Sequence, residues 1–175
     1  YLDREETIHR IKFIKEIEEC INYSQLEYLY CSPKKKEKVL DSFSEDLLNL
    51  IKTEAKNLDL SSKEVILIGF SQGAMMSMQC LLINEFQFGG IIGYSGALRA
   101  ENVKAAESNI TNGKHKYADT PVLLVHGQQD EVVPFQSLEN SKNLLNEIGF
   151  NVQTLSRPNL GHGIDPEGIS AGMEI

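Results

Sequence analysis

Cysteine is scarce in this chain. Cys20, Cys31 and Cys80 are the whole complement, an odd number, widely spaced and never in a C-x-x-C pair. That spacing suits a reducing cytoplasm, where such residues serve as small hydrophobes or free thiols, better than it suits a disulfide framework or a zinc site. No apolar run approaches the ~20 residues that span a bilayer, so stable membrane insertion is not expected, and no secretory leader is visible. Excess positive charge is missing as well. With 17 Lys and Arg against 25 Asp and Glu, the net charge of −8 argues against general nucleic-acid binding and against adhesion to anionic membrane surfaces. The one basic run, Lys34-Lys35-Lys36 after Ser32-Pro33, reads as a solvated loop rather than a nucleic-acid signal.

What is present fits one globular domain over residues 1–175, with 41% hydrophobic and 24% charged residues. Residues 1–58 are expected to be mainly helical. Asp3 to Ile21 carries Ile8, Ile11, Ile14, Ile17 and Ile21 at intervals of three or four, the spacing of an amphipathic helix. Gln25 to Cys31 reads equally as a short strand or a helix end. Val39 to Leu58 repeats the helical pattern through Leu40, Phe43, Leu47, Leu50, Ile51 and Ala55. Beyond residue 58 short β-branched runs alternate with helical patterns, which implies an α/β fold with a mostly parallel sheet.

The densest signal is Gly69-Phe70-Ser71-Gln72-Gly73, with the buried-strand run Val65-Ile66-Leu67-Ile68 before it and the helix-like Ala74-Met75-Met76-Ser77-Met78 after it. A G-x-S-x-G turn swings the chain from strand to helix, and its glycines avoid a clash with neighbouring backbone. Ser71 would stand clear of the sheet at the positive end of a helix, where backbone N–H groups can stabilise an oxyanion. Met75, Met76, Met78, Leu81 and Leu82 read as core packing of that helix.

Two further residues complete a constellation. Pro121-Val122-Leu123-Leu124-Val125 reads as a buried parallel strand, and His126-Gly127-Gln128-Gln129-Asp130 follows its carboxyl end. Ligand crevices of open α/β sheets lie beyond those ends, which places Asp130 on the same edge as Ser71. Asp130 is either the acid partner of a histidine or a cap for the helix that Val133-Pro134-Phe135 introduces. Gly161-His162-Gly163 lies on a loop after Asn151-Val152-Gln153-Thr154-Leu155, an alternating, edge-like strand. The order Ser71, Asp130, His162 is that of α/β-hydrolases. His126 reads as packing near the site, His115 as a surface residue in a long polar loop from Ala97 to Asp119, and His9 as a residue on the polar side of the first helix.

These motifs resemble the carboxylesterase and phospholipase group of α/β-hydrolases, which includes acyl-protein thioesterases. The resemblance runs over residues 62–175 and rests on residues 69–73, on Gly93-Tyr94-Ser95-Gly96, on residues 121–134 and on Gly161-His162-Gly163-Ile164. Ala74 departs from the second glycine usual there. The resemblance implies an α/β-hydrolase fold with helices on both sheet faces. It implies Ser71 as nucleophile, His162 as base, Asp130 as its orienting acid and the main-chain N–H of Gln72 as half of an oxyanion hole. The expected substrate is a small carboxylic ester or thioester, with no cofactor and no metal; peptidase or lactonase chemistry on the same scaffold stays open.

The same resemblance marks what is missing ahead of Ser71. Family members begin with strands and a His-Gly-x-Gly loop that supplies a second oxyanion donor, and this chain opens at Tyr1 without either. The expectation is a domain whose N-terminal strands are truncated, leaving an unpaired edge that invites homodimerisation. Loss of one oxyanion donor costs about 2.7–4 kcal/mol of transition-state stabilisation, so an impaired remnant or interaction module is the competing reading. Residues 22–50 match no family motif and read as an insertion or as padding around a shared helix.

Overall fold

A computed structural model describes residues 33–175, with side chains described from residue 45 onward. The readings made for residues 3–21 and 25–31 fall outside the described residues. The chain divides after Leu50 into two units, and the sheet belongs wholly to the second, residues 51–175. Among the described residues no helix is long and apolar enough to cross a membrane.

Helix α1 runs Pro33–Asn57, so the lysines read as a loop lie in its first turn instead. The reason is local: proline at the first helical position has its φ preset and lacks only an N–H that the helix would leave unpaired. The helix stops in a Schellman arrangement. Asp59 takes a left-handed φ of 54°, Leu60 N–H donates to Ala55 O at 2.8 Å, and Asp59 N–H donates to Lys56 O at 3.2 Å.

The sheet is built from β1 (Ile66–Phe70), β2 (Gly90–Tyr94), β5 (Val122–Gly127) and β6 (Val152–Arg157), all parallel and in that spatial order. Helix α2 (Gln72–Ile83) joins β1 to β2, and helix α4 (Gln136–Glu147) joins β5 to β6. Register decides the faces. Ile92 and Tyr94 of β2 lie beside Leu123 and Val125 of β5, and this cluster is packed by Leu155, Ala171 and Ile175. On the opposite face α2 approaches closely: a Cβ at Gly93 would sit 3.4 Å from Ala74 Cβ.

Both β2 and β5 are buried at every position, as their unbroken apolar runs require. Strand β6 lies at one edge of the sheet, but its burial does not alternate as its sequence does: Val152 is buried, Gln153 and Thr154 are both exposed, and Leu155 is half-buried. Among the described residues β1 ends the sheet on the other side, and its Ile66, Ile68 and Phe70 are 45%, 67% and 39% exposed. Its inward alternation still buries Leu67.

The span read as a polar loop is structured. It holds helix α3 (Ala100–Ala105), a 3-10 turn (Glu107–Asn109) and an antiparallel hairpin of β3 (Ile110–Thr111) and β4 (Lys114–His115). Asn112 and Gly113 turn that hairpin with φ of 52° and 76°. Asn-Gly supplies the two positive φ values that a two-residue hairpin needs, and this signal stood in the sequence. The last helix, α5 (Pro166–Gly172), begins at Asp165, whose Oδ1 accepts the Gly168 N–H at 2.9 Å.

Candidate active site

Ser71 occupies the turn between β1 and α2 in a conformation few residues adopt, with φ 54° and ψ −115°. Neighbouring backbone holds it there: its N–H donates to Tyr94 O at 2.8 Å, and its carbonyl accepts the Met75 N–H at 3.2 Å. The turn demands glycine on one side. A Cβ at Gly69 would lie 2.3 Å from the carbonyl carbon of Gly73, whereas a Cβ at Gly73 meets no described atom within 4 Å. The clash argument therefore holds for the first glycine of the motif and not for the second. Gln72 is the first residue of α2, and its N–H is among those a helix leaves without an internal partner.

Asp130 lies beyond the carboxyl end of β5 with its side chain fully enclosed. Its Oδ1 accepts the N–H groups of Val132 at 2.9 Å and Val133 at 2.8 Å. Its Oδ2 lies 2.8 Å from His162 Nδ1 and 3.2 Å from His126 Nε2. The helix-cap reading is not met, because α4 has Phe135 at its N-cap without a side-chain cap; Oδ1 instead ties the turn 130–133, and Oδ2 faces a histidine. Burial raises its pKa, but the bonds from His162, Val133 and Val132 together outweigh burial and hold the carboxyl below its ordinary range.

His162 Nε2 stands 3.0 Å from Ser71 Oγ, across 91 residues of sequence. An ionised carboxylate only accepts, so Nδ1 carries the proton and Nε2 is left to accept from the hydroxyl. The loop bearing His162 is pinned at its base, where Arg157 Nε donates to Asp165 Oδ2 at 2.7 Å and Nη2 lies 3.2 Å from Glu167 Oε2. It also passes very close to the end of β5, since a Cβ at Gly127 would lie 2.2 Å from Leu160 O. Phe70 flanks the imidazole with ring centroids 4.8 Å apart. A hydroxyl facing an imidazole nitrogen, with the other nitrogen on a carboxylate, is arranged to give up its proton.

The remaining described histidines correct their sequence readings. His115 is buried, not on the surface. Its Nε2 lies 2.9 Å from Leu82 O and its Nδ1 accepts the Tyr117 N–H at 3.1 Å. With Asn109 Nδ2 donating to the same Leu82 carbonyl at 2.8 Å, it caps the far end of α2. Burial is the main reason that its pKa falls below the usual histidine value. His126 is more than packing, because its Nε2 points into the turn that holds Asp130. Of the methionines in α2, Met78 is in the core, while Met75 and Met76 are half-buried. A cavity of about 340 Å³, lined by Ile51, Lys52, Val65 and Phe86 among others, opens at the opposite end of β1 from Ser71.

The description phospholipase/carboxylesterase belongs to the family model that matches residues 25–173, most of the chain. The chain belongs to the phospholipase/carboxylesterase family. The match begins upstream of residue 62, where the recognisable motifs start. An acyl-protein thioesterase 1 from Debaryomyces hansenii is 29% identical over 152 residues, covering 85% of this chain and 63% of that protein. Among solved structures, Zea mays acyl-protein thioesterase 2 aligns with a TM-score of 0.64 and 25% identity over 79% of this chain and 64% of that one. Arabidopsis thaliana SOBER1 aligns with a TM-score of 0.66 over 79% of this chain and 63% of that one, and at 21% identity it bears on the fold alone. The phospholipase/carboxylesterase chain thus has the α/β-hydrolase fold and spans a little under two thirds of the length of these relatives.

Proposed function

We propose that this chain carries the reacting groups of a serine hydrolase acting on carboxylic esters or thioesters. The observation that carries the reading is the line Ser71 Oγ, His162, Asp130, with contacts of 3.0 and 2.8 Å. In this reading Ser71 Oγ attacks the acyl carbonyl carbon while its proton passes to His162 Nε2. The Asp130 carboxylate stabilises the resulting imidazolium through Nδ1–H. The carbonyl π electrons move to oxygen, where the Gln72 N–H offers one donor to the oxyanion. Each such donor is worth about 2.7–4 kcal/mol of transition-state stabilisation.

Collapse of the tetrahedral species expels the alcohol or thiol, which takes the proton from His162 and leaves an acyl-serine. Water, deprotonated by the same imidazole, then releases the acid and restores the serine hydroxyl. Acyl-protein thioesterase relatives support a thioester or ester as substrate class. A fluorophosphonate probe is expected to label the chain at Ser71 and to leave a Ser71→Ala variant unlabelled. Absence of labelling in the wild-type protein would sink the proposal, and comparing acyl thioesters, p-nitrophenyl esters and peptide amides ranks the substrates.

A further inference from the structure

The most unusual buried group outside the proposed reacting set is His126. Its side chain is 1% exposed, and its Nε2 lies 2.9 Å from Val133 O and 3.2 Å from Asp130 Oδ2. A carbonyl oxygen can only accept, so Nε2 carries the proton, and the hydrogen bond goes to Val133. That peptide matters, because the Val133 N–H is one of the two donors to Asp130 Oδ1, at 2.8 Å. The imidazole therefore grips the turn 130–133 from below, through the carbonyl of the same residue whose N–H grips the acid. The positive edge of its N–H also faces the carboxylate oxygen that pairs with His162.

The environment leaves this ring little alternative. His126 is the fifth residue of β5, is paired in register with Ser156 of β6, and stacks edge-on toward Phe135 with centroids 6.1 Å apart. A buried N–H with fixed geometry is worth more in such a site than in water, and a buried carbonyl deprived of it carries a desolvation penalty. A residue present only to fill space needs no donor at this point.

We infer that His126 is a positioning residue: through Val133 and against Asp130 Oδ2 it fixes the carboxylate in the orientation that holds His162 toward Ser71. The inference rests on the proposed roles of Asp130 and His162. The discriminating variants are His126→Phe, which keeps a ring and removes the donor, and His126→Gln, whose Nε2 can stand where the imidazole Nε2 stood.

Two readouts on the full chain separate the possible failures. The first is reaction of Ser71 with a fluorophosphonate, analysed as a maximal inactivation rate and an apparent affinity. The expected result is a maximal rate about tenfold or more lower in His126→Phe, with affinity unchanged and with His126→Gln recovering most of the loss. The second does not depend on reactivity: the His162 Nδ1–H resonance, followed by NMR for exchange with water. In the wild type and His126→Gln it is expected to be protected, and in His126→Phe its exchange is expected to be at least about tenfold faster. Protection retained in a folded His126→Phe variant overturns the inference. So does equal loss in the Phe and Gln variants, which assigns the effect to general destabilisation. If wild-type Ser71 does not react at all, the functional proposal fails, and the NMR comparison still decides the role of His126.

Discussion

The two halves of the candidate site are held by different physics. On the acid and histidine side, bonds converge: Asp130 receives two backbone N–H groups and faces two imidazoles, and an Arg157–Asp165 ion pair closes the loop that carries His162. On the serine side there is one steeply turned backbone, resting on a strand whose Ile66, Ile68 and Phe70 are exposed. The first half is set by charged and polar side chains together with a close backbone approach at Gly127, and the second by backbone bonds and the steric limit at Gly69, with no charged side chain on the turn. Substitutions that remove charge should therefore damage one half, and substitutions that add volume the other.

The largest effect is expected from Asp130→Asn. The amide keeps the volume, but it no longer requires Nδ1–H on His162 and favours the wrong tautomer, so turnover of an activated ester should fall on the order of 10³–10⁴-fold while the fold persists. A loss under about tenfold would show that the acid half contributes little, and would break the comparison. Next comes Gly69→Ala. Its Cβ would press on Gly73 backbone at 2.3 Å, and overpacking of this kind costs about 1–3 kcal/mol, measurable as a lower denaturant midpoint. Gly73→Ala is the internal control, since its Cβ meets no described atom within 4 Å. In a helix that exchange should be neutral or stabilise by up to about 1 kcal/mol.

The smallest effect probes the remote support of α2. Burial keeps His115 neutral with its folded pKa below the unfolded value. The unfolded chain therefore binds a proton first, and the stability present above about pH 6.5 is lost as pH falls toward the folded pKa. The melting temperature should drop on acidification by more in the wild type than in a His115→Gln variant. Equal slopes would mean that this histidine does not report on the end of α2.

Much of this was readable in advance where the signals are local. The strand runs at 65–68 and 121–125 and the first glycine of the Ser71 turn each state a conformation within a few residues. What escaped detection is long-range or lies in polar company. His115 is tied to Leu82 across 33 positions, and a histidine beside lysines gives no hint of burial. The role of His126 toward Val133 depends on a turn whose shape no periodicity encodes. The start of α1 at Pro33 was hidden because three lysines resemble a loop, although the proline marks a helix entry. The hairpin at Asn112-Gly113 carries a clear turn signal, but its strands of two residues each are too short to show any alternation.

The separation of 91 positions between Ser71 and His162 also sets an order of synthesis. A ribosome releases the chain from the N-terminal side at about 5–20 residues per second, so the serine turn emerges several seconds before the histidine loop. Throughout that interval Ser71 is on the nascent chain and His162 is not. In the proposed mechanism the serine hydroxyl therefore has no proton acceptor until the segment carrying His162 has been synthesised.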